Sequence, residues 1–208
     1  MKKIPTLFKR EFINNQKVNT LPEITEGIDS EILKYGIPTI KWDGACCAII
    51  DGVLYKRYDA KNGKPVPEGA IKCQEEADPI TGHLPCWIKC DKENPADKWF
   101  WNTYDKVTTY NGIYVFKLPN GTYEAVGKHF NGNPYLLEED FLVKHGTTEC
   151  DIPKDENGYY TFDAIKDYLK NVYIEGIVFW DRRNGNDFPV CKIKRSDFGF
   201  DWGSKNDL

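Results

Sequence analysis

Apolar and polar residues alternate with a period of two along several segments of the chain, and this period is typical of β-strands. From Pro38 onward, the apolar Ile40 and Trp42 alternate with polar residues. A proline is tolerated at the start of a strand, so the pattern predicts a strand that begins near this residue. The period places Lys41 and Asp43 on one face at the end of that strand.

Two further strand-like runs, residues 45–50 and 53–58, surround Asp51-Gly52. This dipeptide strongly favours the two-residue turn of a β-hairpin. The hairpin predicts that Arg57 returns towards Lys41. A second hairpin is predicted from residues 112–118 and 122–128, with Glu124 on its returning strand.

The last third of the chain predicts two more strands. In residues 172–180, the alternation sets Glu175 among apolar neighbours on one face, where a carboxylate needs a partner. In residues 188–194, Lys192 and Lys194 share a face.

Helix signals are few. Asn94 as N-cap with Pro95 in the first turn predicts a helix to about residue 107, and Thr161 predicts a second helix to about residue 170. Residues 1–35 are mixed and polar and give no clear element. The fold class predicted is α+β, with antiparallel sheets and flanking helices.

Composition narrows the class of protein. The chain has 208 residues, which suits one domain over residues 1–208, and its net charge of -4 argues against coating nucleic acid through bulk positive charge. No apolar run approaches the roughly 18 residues of a membrane span, and no secretory segment begins the chain. We therefore expect a cytoplasmic protein with no membrane and no obligate protein partner.

Seven cysteines without a regular framework suit a reducing compartment better than a disulfide scaffold. Four potential zinc ligands lie within 18 residues: Cys73, His83, Cys86 and Cys90. Their spacing matches no CxxC pair, so the pattern indicates zinc only weakly.

Lys41 is the candidate nucleophile. A lysine that attacks a nucleotide's α-phosphate must be neutral, whereas a free lysine has a pKa of about 10.4. Two nearby cations, Lys192 and Lys194, would lower that pKa and screen the phosphate oxygens. Asp43 would align the amine, and Glu175 is a hard ligand that suits Mg²⁺.

Each of these patterns also has a plain structural interpretation. Lys41 before Asp43-Gly44 is compatible with a surface lysine ahead of a turn, and Glu175-Gly176 with a bulge beside a paired acid. Two lysines such as Lys192 and Lys194 usually indicate a solvated edge strand. No single pattern therefore decides the function.

Five short motifs, taken together and in order, resemble a known superfamily. They are Lys41-x-Asp43-Gly44, Arg57, Tyr123-Glu124-Ala125-Val126-Gly127, Glu175-Gly176-Ile177-Val178 and Lys192-x-Lys194. They are similar to motifs I, Ia, III, IV and V of the covalent nucleotidyltransferases, which include ATP-dependent ligases and mRNA-capping enzymes. Within that superfamily the chain most resembles the small autonomous 5′-to-3′ RNA ligases, through residues 41–47, 79–87, 97–99 and 132–135.

The resemblance implies an ATP-grasp-like nucleotidyltransferase fold and an RNA ligase that uses ATP, held as covalent AMP, with Mg²⁺ or Mn²⁺. The catalytic residues implied are Lys41, Asp43, Lys192 and Lys194. The nucleotide site implied adds Ile40, Arg57, Glu124 and Glu175, with Glu175 as the metal ligand. Phe130, Tyr135 and Phe141 are the candidates for stacking on adenine.

The substrate implied is RNA with a 5′-phosphate and a 3′-hydroxyl. Only 14 residues follow Lys194, so we expect no C-terminal OB-fold or accessory domain. RNA would then contact the core's own surface, for which the candidates are Lys56, Lys61, Lys64, Arg182 and Arg183. Two alternatives stay open, a capping-type RNA guanylyltransferase and a noncatalytic nucleic-acid-binding module with the same fold.

Overall fold

The computed structural model describes residues 2–14, 16–61, 64–79, 81–110, 113–114 and 117–203. The chain divides into two compact units. Unit 1 contains Met1–Lys3 and Asp43–His145, and unit 2 contains Ile4–Trp42 and Gly146–Leu208.

The secondary structure is α+β, with antiparallel sheets and few helices, as predicted. The strands, in chain order, are β1 (Phe8–Ile13), β2 (Gln16–Ile24), β3 (Ile37–Lys41), β4 (Ala45–Ile50), β5 (Val53–Ala60), β6 (Ile71–Lys72), β7 (Leu84–Lys89), β8 (Thr109–Tyr110), β9 (Ile113–Tyr114), β10 (Gly121–Val126), β11 (Phe141–Lys144), β12 (Gly176–Asp181) and β13 (Phe188–Lys194). The helices are α1 (Ile32–Tyr35), α2 (Lys98–Thr108) and α3 (Phe162–Asn171).

Unit 1 is built on a six-stranded antiparallel sheet in the order β11-β10-β4-β5-β7-β6. The predicted hairpin is confirmed in β4 and β5, where Asp51 and Gly52 have φ values of 51° and 76°. Two consecutive positive φ values are the requirement of a type I′ turn, which Asp-Gly satisfies at low cost. The helix predicted after Asn94 is also confirmed: it begins as a 3-10 helix over Pro95–Asp97, where the Asn94 side chain accepts a hydrogen bond from the Ala96 amide at 3.0 Å, and continues as α2.

Unit 2 contains a three-stranded antiparallel sheet in the order β13-β12-β3 and a separate hairpin of β1 and β2. The helix predicted after Thr161 is confirmed as α3, with the Thr161 hydroxyl accepting from the Ala164 amide at 3.1 Å. Ile165 and Leu169 of this helix are fully buried, one turn apart, in the core of the unit. This core carries the sheet on which the lysines of the candidate site lie.

The first residues of the chain differ from the sequence interpretation, which found no clear element there. They form the β1–β2 hairpin, whose register shifts between Phe8 and Arg10 and again between Glu11 and Phe12. Such irregularities interrupt the period of two, so the alternation of apolar and polar residues that indicates a strand is lost. The amide of Leu7 donates to the Lys192 carbonyl at 2.7 Å, which joins the start of this segment to β13.

Two predicted strands also have different limits or partners. The strand predicted over residues 172–180 begins only at Gly176, so Glu175 precedes it. The strand β10 pairs with β4 and β11 rather than with residues 112–118. Of that run, residues 113–114 pair with β8, and Gly112, Val115 and Phe116 lie outside the described residues.

Within the described ranges, no helix combines the length and the apolar character needed to cross a membrane. The nucleotidyltransferase fold and the single domain over residues 1–208 stay predictions.

Candidate active site

Lys41 is the last residue of β3, and the strand pairing fixes its position. It lies opposite Gly176 of β12, and Lys194 of β13 lies opposite the same glycine on the other side. A Cβ atom on Gly176 would come within 2.3 Å of the Ile193 carbonyl oxygen, so only glycine permits this close approach of the strands. The two lysines are thereby brought to either side of one residue.

The buried carboxylate of Glu175 joins these lysines. Its residue exposure is only 4%. One oxygen accepts a hydrogen bond from the Lys41 ammonium, and the other forms an ion pair with the Lys194 ammonium at 2.5 Å. The partner that the sequence required for Glu175 is therefore a pair of lysines, and three residues predicted for the site meet around one carboxyl group.

Lys192 lies two residues before Lys194 on the same strand. Among the residues that the structure describes, none forms an ion pair or a side-chain hydrogen bond with its ammonium group. Burial, together with the positive charges of Lys41 and Lys194, lowers the pKa of Lys192 from 10.5 to about 8, against the opposing effect of Glu175. A half-buried, partly uncompensated cation of this kind is common where an anionic ligand binds.

In unit 1, Glu124 of β10 is held from two sides. One oxygen accepts from the Gly44 amide at 3.0 Å, and the other lies 2.9 Å from Nε2 of His145. The second ring nitrogen of His145 lies 2.9 Å from the Thr122 hydroxyl. His145 belongs to none of the five sequence motifs, and nothing in the local pattern reveals its contact with Glu124.

Gly44, the last residue of the first motif, is required by the packing of unit 1. In the structure, a Cβ atom at this position would come within 2.1 Å of the Ala125 carbonyl oxygen. Gly44 is therefore required because β10 approaches the backbone of the motif closely.

Asp43 and the candidate adenine-stacking residues are also in unit 1. The Asp43 amide donates to the Tyr135 hydroxyl at 2.8 Å, and its carboxylate accepts from the Asn131 side chain at 2.7 Å. Phe130 is buried in the core of the unit, whereas Tyr135 is partly exposed and Phe141 is exposed. This difference in exposure favours the latter two for contact with a base.

Arg57 and Ile40 complete the predicted set. The Arg57 guanidinium lies 5.9 Å from the centre of the Trp87 ring, and its Nε donates to Asp59 at 2.7 Å. Ile40 is in β3, where its amide donates to the Thr148 carbonyl at 2.8 Å. The return of Arg57 towards Lys41 stays a prediction, as do the roles of Asp43 and Ile40.

Two parts of the molecule offer ligands to a metal ion. Cys46, Glu124 and His145 each present one donor atom, all within 4.8 Å of one another. Burial raises the pKa of Cys46 to about 12, which favours the neutral thiol over the thiolate that zinc prefers. Glu175 offers a single carboxylate, which suits Mg²⁺ because this ion keeps several waters and also binds phosphate oxygens.

The zinc ligands considered from the sequence do not assemble. Within the described ranges, no three of Cys73, His83, Cys86 and Cys90 come together as a metal-binding group.

The side chains considered for RNA contact are partly engaged elsewhere. Lys56 forms an ion pair with Asp97, which is buried. Arg183 pairs with Asp181 at 3.1 Å and lies over the Tyr35 ring. Ion pairs of this kind reduce the positive charge that these groups offer to a phosphate backbone. Arg182 is likewise paired with acids, whereas Lys61 and Lys64 are exposed.

Comparison with known proteins gives an informative similarity. The chain is 24% identical to RNA ligase 1 of Pongo abelii, over an alignment that covers 85% of this chain and 71% of that protein. No family model matches the chain. At this level of identity the similarity is that of a distant relative of an RNA ligase.

Proposed function

We propose that this chain is an ATP-dependent RNA ligase that forms a covalent lysyl-AMP on Lys41. The observation that carries the proposal is the meeting of Lys41 and Lys194 on the buried Glu175 carboxylate, with Lys192 on the same strand. The distant similarity to an RNA ligase and the order of the five motifs support the same assignment. A surface lysine before a turn would need none of these neighbours.

In the first step, the neutral amine of Lys41 attacks the α-phosphorus of ATP. A phosphorus–nitrogen bond forms, and pyrophosphate leaves with the electron pair of the broken phosphorus–oxygen bond. Lys192 and Lys194 would stabilise the negative charge that develops on the phosphate oxygens. Because the ion pair with Glu175 occupies the Lys41 nitrogen, the Lys41–Glu175 contact has to break before the attack.

Glu175 has a second role in this proposal. Once Lys41 leaves it, the carboxylate is available as a hard oxygen ligand for Mg²⁺ or Mn²⁺. The metal ion would supply positive charge that neutralises the phosphate oxygens. In this proposal the carboxylate would therefore exchange the Lys41 ammonium for a metal ion.

In the second step, a 5′-phosphate oxygen of RNA attacks the AMP phosphorus and releases the Lys41 amine, which gives adenylated RNA. In the third step, a 3′-hydroxyl attacks the RNA 5′-phosphorus, AMP leaves, and a phosphodiester bond forms. The positive charges of Lys192 and Lys194 would serve all three transfers, because each passes through a negatively charged phosphoryl group.

The nucleoside would be held by the residues that the resemblance implies for the ribose and the base. The Glu124 carboxylate can accept hydrogen bonds from ribose hydroxyls, and Arg57 would assist from β5. Glu124 contacts the Gly44 amide and His145, and these contacts fix the orientation of its carboxylate before the ligand binds. Tyr135 or Phe141 would stack on adenine.

Incubation with α-labelled ATP and Mg²⁺ tests the first step. We expect acid-labile label on the wild-type chain and none on Lys41→Ala, while Lys9→Ala, which changes an exposed lysine, retains full labelling. Equal labelling of Lys41→Ala would overturn the proposal, and preference for GTP would favour a capping enzyme. Sealing of 5′-phosphorylated RNA, scored separately from the adenylated intermediate, tests the remaining steps.

A further inference from the structure

A basic cavity lies in unit 2 between the β1–β2 hairpin and the end of β13. Its volume is about 370 Å³, within the range of small-ligand sites, and its lining residues are Arg10, Phe12, Lys17, Lys192, Lys194, Ser196 and Asp197. Four of these side chains are basic and one is acidic. We call this the hairpin cavity.

The charge of the hairpin cavity is not balanced by the protein. Arg10 pairs with the buried Asp197 at 2.7 Å, yet its Nε is buried without a hydrogen-bond partner in the described part of the chain. The Lys17 ammonium donates to backbone carbonyls, one of them Ser196 at 2.7 Å, and these remove no charge. With Lys192 also lacking an acidic partner, the cavity is arranged for an anion.

An aromatic ring stands beside these cations. Phe12 lines the cavity and is 58% exposed. An exposed phenylalanine next to clustered lysine and arginine is the combination that proteins use for single-stranded nucleic acid, since the base stacks on the ring while the cations bind phosphate. A free triphosphate would need only the cations.

We infer that the hairpin cavity binds the 5′-terminal nucleotide of the RNA strand, with its 5′-phosphate against Arg10, Lys17 and Lys192 and its base against Phe12. This inference rests on the proposed function, because it identifies the strand end that would attack lysyl-AMP. Lys192 and Lys194 line the cavity, and Lys194 also pairs with Glu175, so a phosphate bound here is held by the groups that would stabilise phosphoryl transfer in the proposed reaction.

Binding in the absence of ATP tests this directly. A short single-stranded RNA with a 3′ fluorophore is titrated by anisotropy, once with a 5′-phosphate and once with a 5′-hydroxyl. We expect the phosphorylated strand to bind at least about tenfold more tightly. Lys17→Gln should remove most of that preference, and Phe12→Ala should weaken both strands about tenfold while the preference remains.

Matched variants on the same hairpin serve as controls. Ile13→Ala changes an equally exposed apolar residue next to Phe12, and Lys9→Gln removes an exposed charge that does not line the cavity. Both should bind the two strands as the wild type does. Thermal unfolding of every variant identifies any that lose the fold, and Lys17→Arg, which keeps the charge, should retain the preference if Lys17→Gln fails to fold.

Titration with inorganic tripolyphosphate tests whether the cavity binds the triphosphate of the nucleotide instead of the 5′-phosphate of RNA. If it binds in a Lys17-dependent manner while RNA affinity ignores the 5′-phosphate, the cavity holds the nucleotide's phosphates and the inference is wrong. Equal loss of RNA binding in Phe12→Ala and Ile13→Ala would also contradict it. Labelling of Lys41 by ATP, measured separately in each variant, shows whether the proposed function stands when this inference fails.

Discussion

Lys41 and Glu175 form an ion pair in which the carboxylate is almost fully buried and the lysine is the proposed nucleophile. The same carboxylate binds Lys194, so one acid compensates two ammonium groups. This arrangement engages the nitrogen of Lys41 before substrate binds. In the proposed reaction, Lys41 therefore has to leave Glu175 before it attacks.

Replacing this carboxylate should destabilise the fold as well as stop the reaction. In Glu175→Gln, the positive charges of Lys41 and Lys194 lose their common acid. We expect the free energy of unfolding to fall by about 1–3 kcal/mol, measured by urea denaturation, because charged hydrogen bonds at a buried acceptor are lost. Labelling by ATP should also be abolished.

The exposed pair of Lys9 and Glu23 provides the control for this change. Glu23→Gln removes a carboxylate from a lysine at the surface, where screening makes the pair contribute little. Its urea midpoint should match the wild type. A Glu175→Gln variant that is as stable as Glu23→Gln would contradict the description of Glu175 as the shared acid.

Lys41→Arg separates the charge of the lysine from its chemistry. An arginine can still pair with Glu175, so the unfolding midpoint should stay near that of the wild type. A guanidinium does not lose its proton under these conditions and cannot serve as the nucleophile. We expect no labelling with α-labelled ATP, whereas Lys9→Arg should label fully; labelled Lys41→Arg would show that another residue is modified.

Local signals explain which elements the sequence predicts well. Asp51-Gly52 dictates its turn through the positive φ values that both residues adopt, and Thr161 caps its helix through a contact three residues away. The β1–β2 hairpin escapes prediction because its bulges break the alternation on which the prediction depends. A regular strand, turn or cap leaves a local pattern in the sequence, whereas a strand interrupted by bulges does not.

The residues of the candidate site also divide into those that a local sequence pattern predicts and those that it does not. The sequence identifies Glu175 because it is an acid among apolar neighbours, and the order of the motifs associates it with Lys41 and Lys194. Lys17 contacts Ser196 across 179 residues of sequence, and no local pattern records such a contact. The hairpin cavity could therefore be found only from the folded structure.

His145 should act through Glu124 on the binding of ATP. Without the imidazole, one oxygen of Glu124 loses its partner and the carboxylate can adopt other rotamers. We expect His145→Ala to raise the KM for ATP in the labelling reaction about tenfold, with a smaller effect on kcat. His145→Gln, which can still donate to Glu124, should recover part of the loss.

His83→Ala is the matched control for this prediction, because no side-chain contact of His83 with Glu124 is seen. It should leave the KM unchanged. A His145→Ala variant that lowers kcat at constant KM would contradict the positioning role and would point to a part in the chemical step.

The pKa of Lys192 predicts two opposite dependences on pH. Burial, together with Lys41 and Lys194, lowers this pKa from 10.5 to about 8 in the folded chain. Between these two values the unfolded chain binds more protons than the folded chain, so this residue makes stability rise with pH across that window. The positive charge available to a phosphate falls over the same range, so affinity for ATP should decrease.

Urea denaturation and metal-free titration with ATP, both from pH 7.5 to about pH 9.5, measure the two trends. The last ionisation of a phosphate has a pKa of about 6, so the ligand's charge is almost constant in this range. Lys192→Arg keeps its charge throughout, and its affinity should be flat where that of the wild type falls. If the two proteins lose affinity in parallel, another group is responsible, and Lys192 does not bind the phosphate.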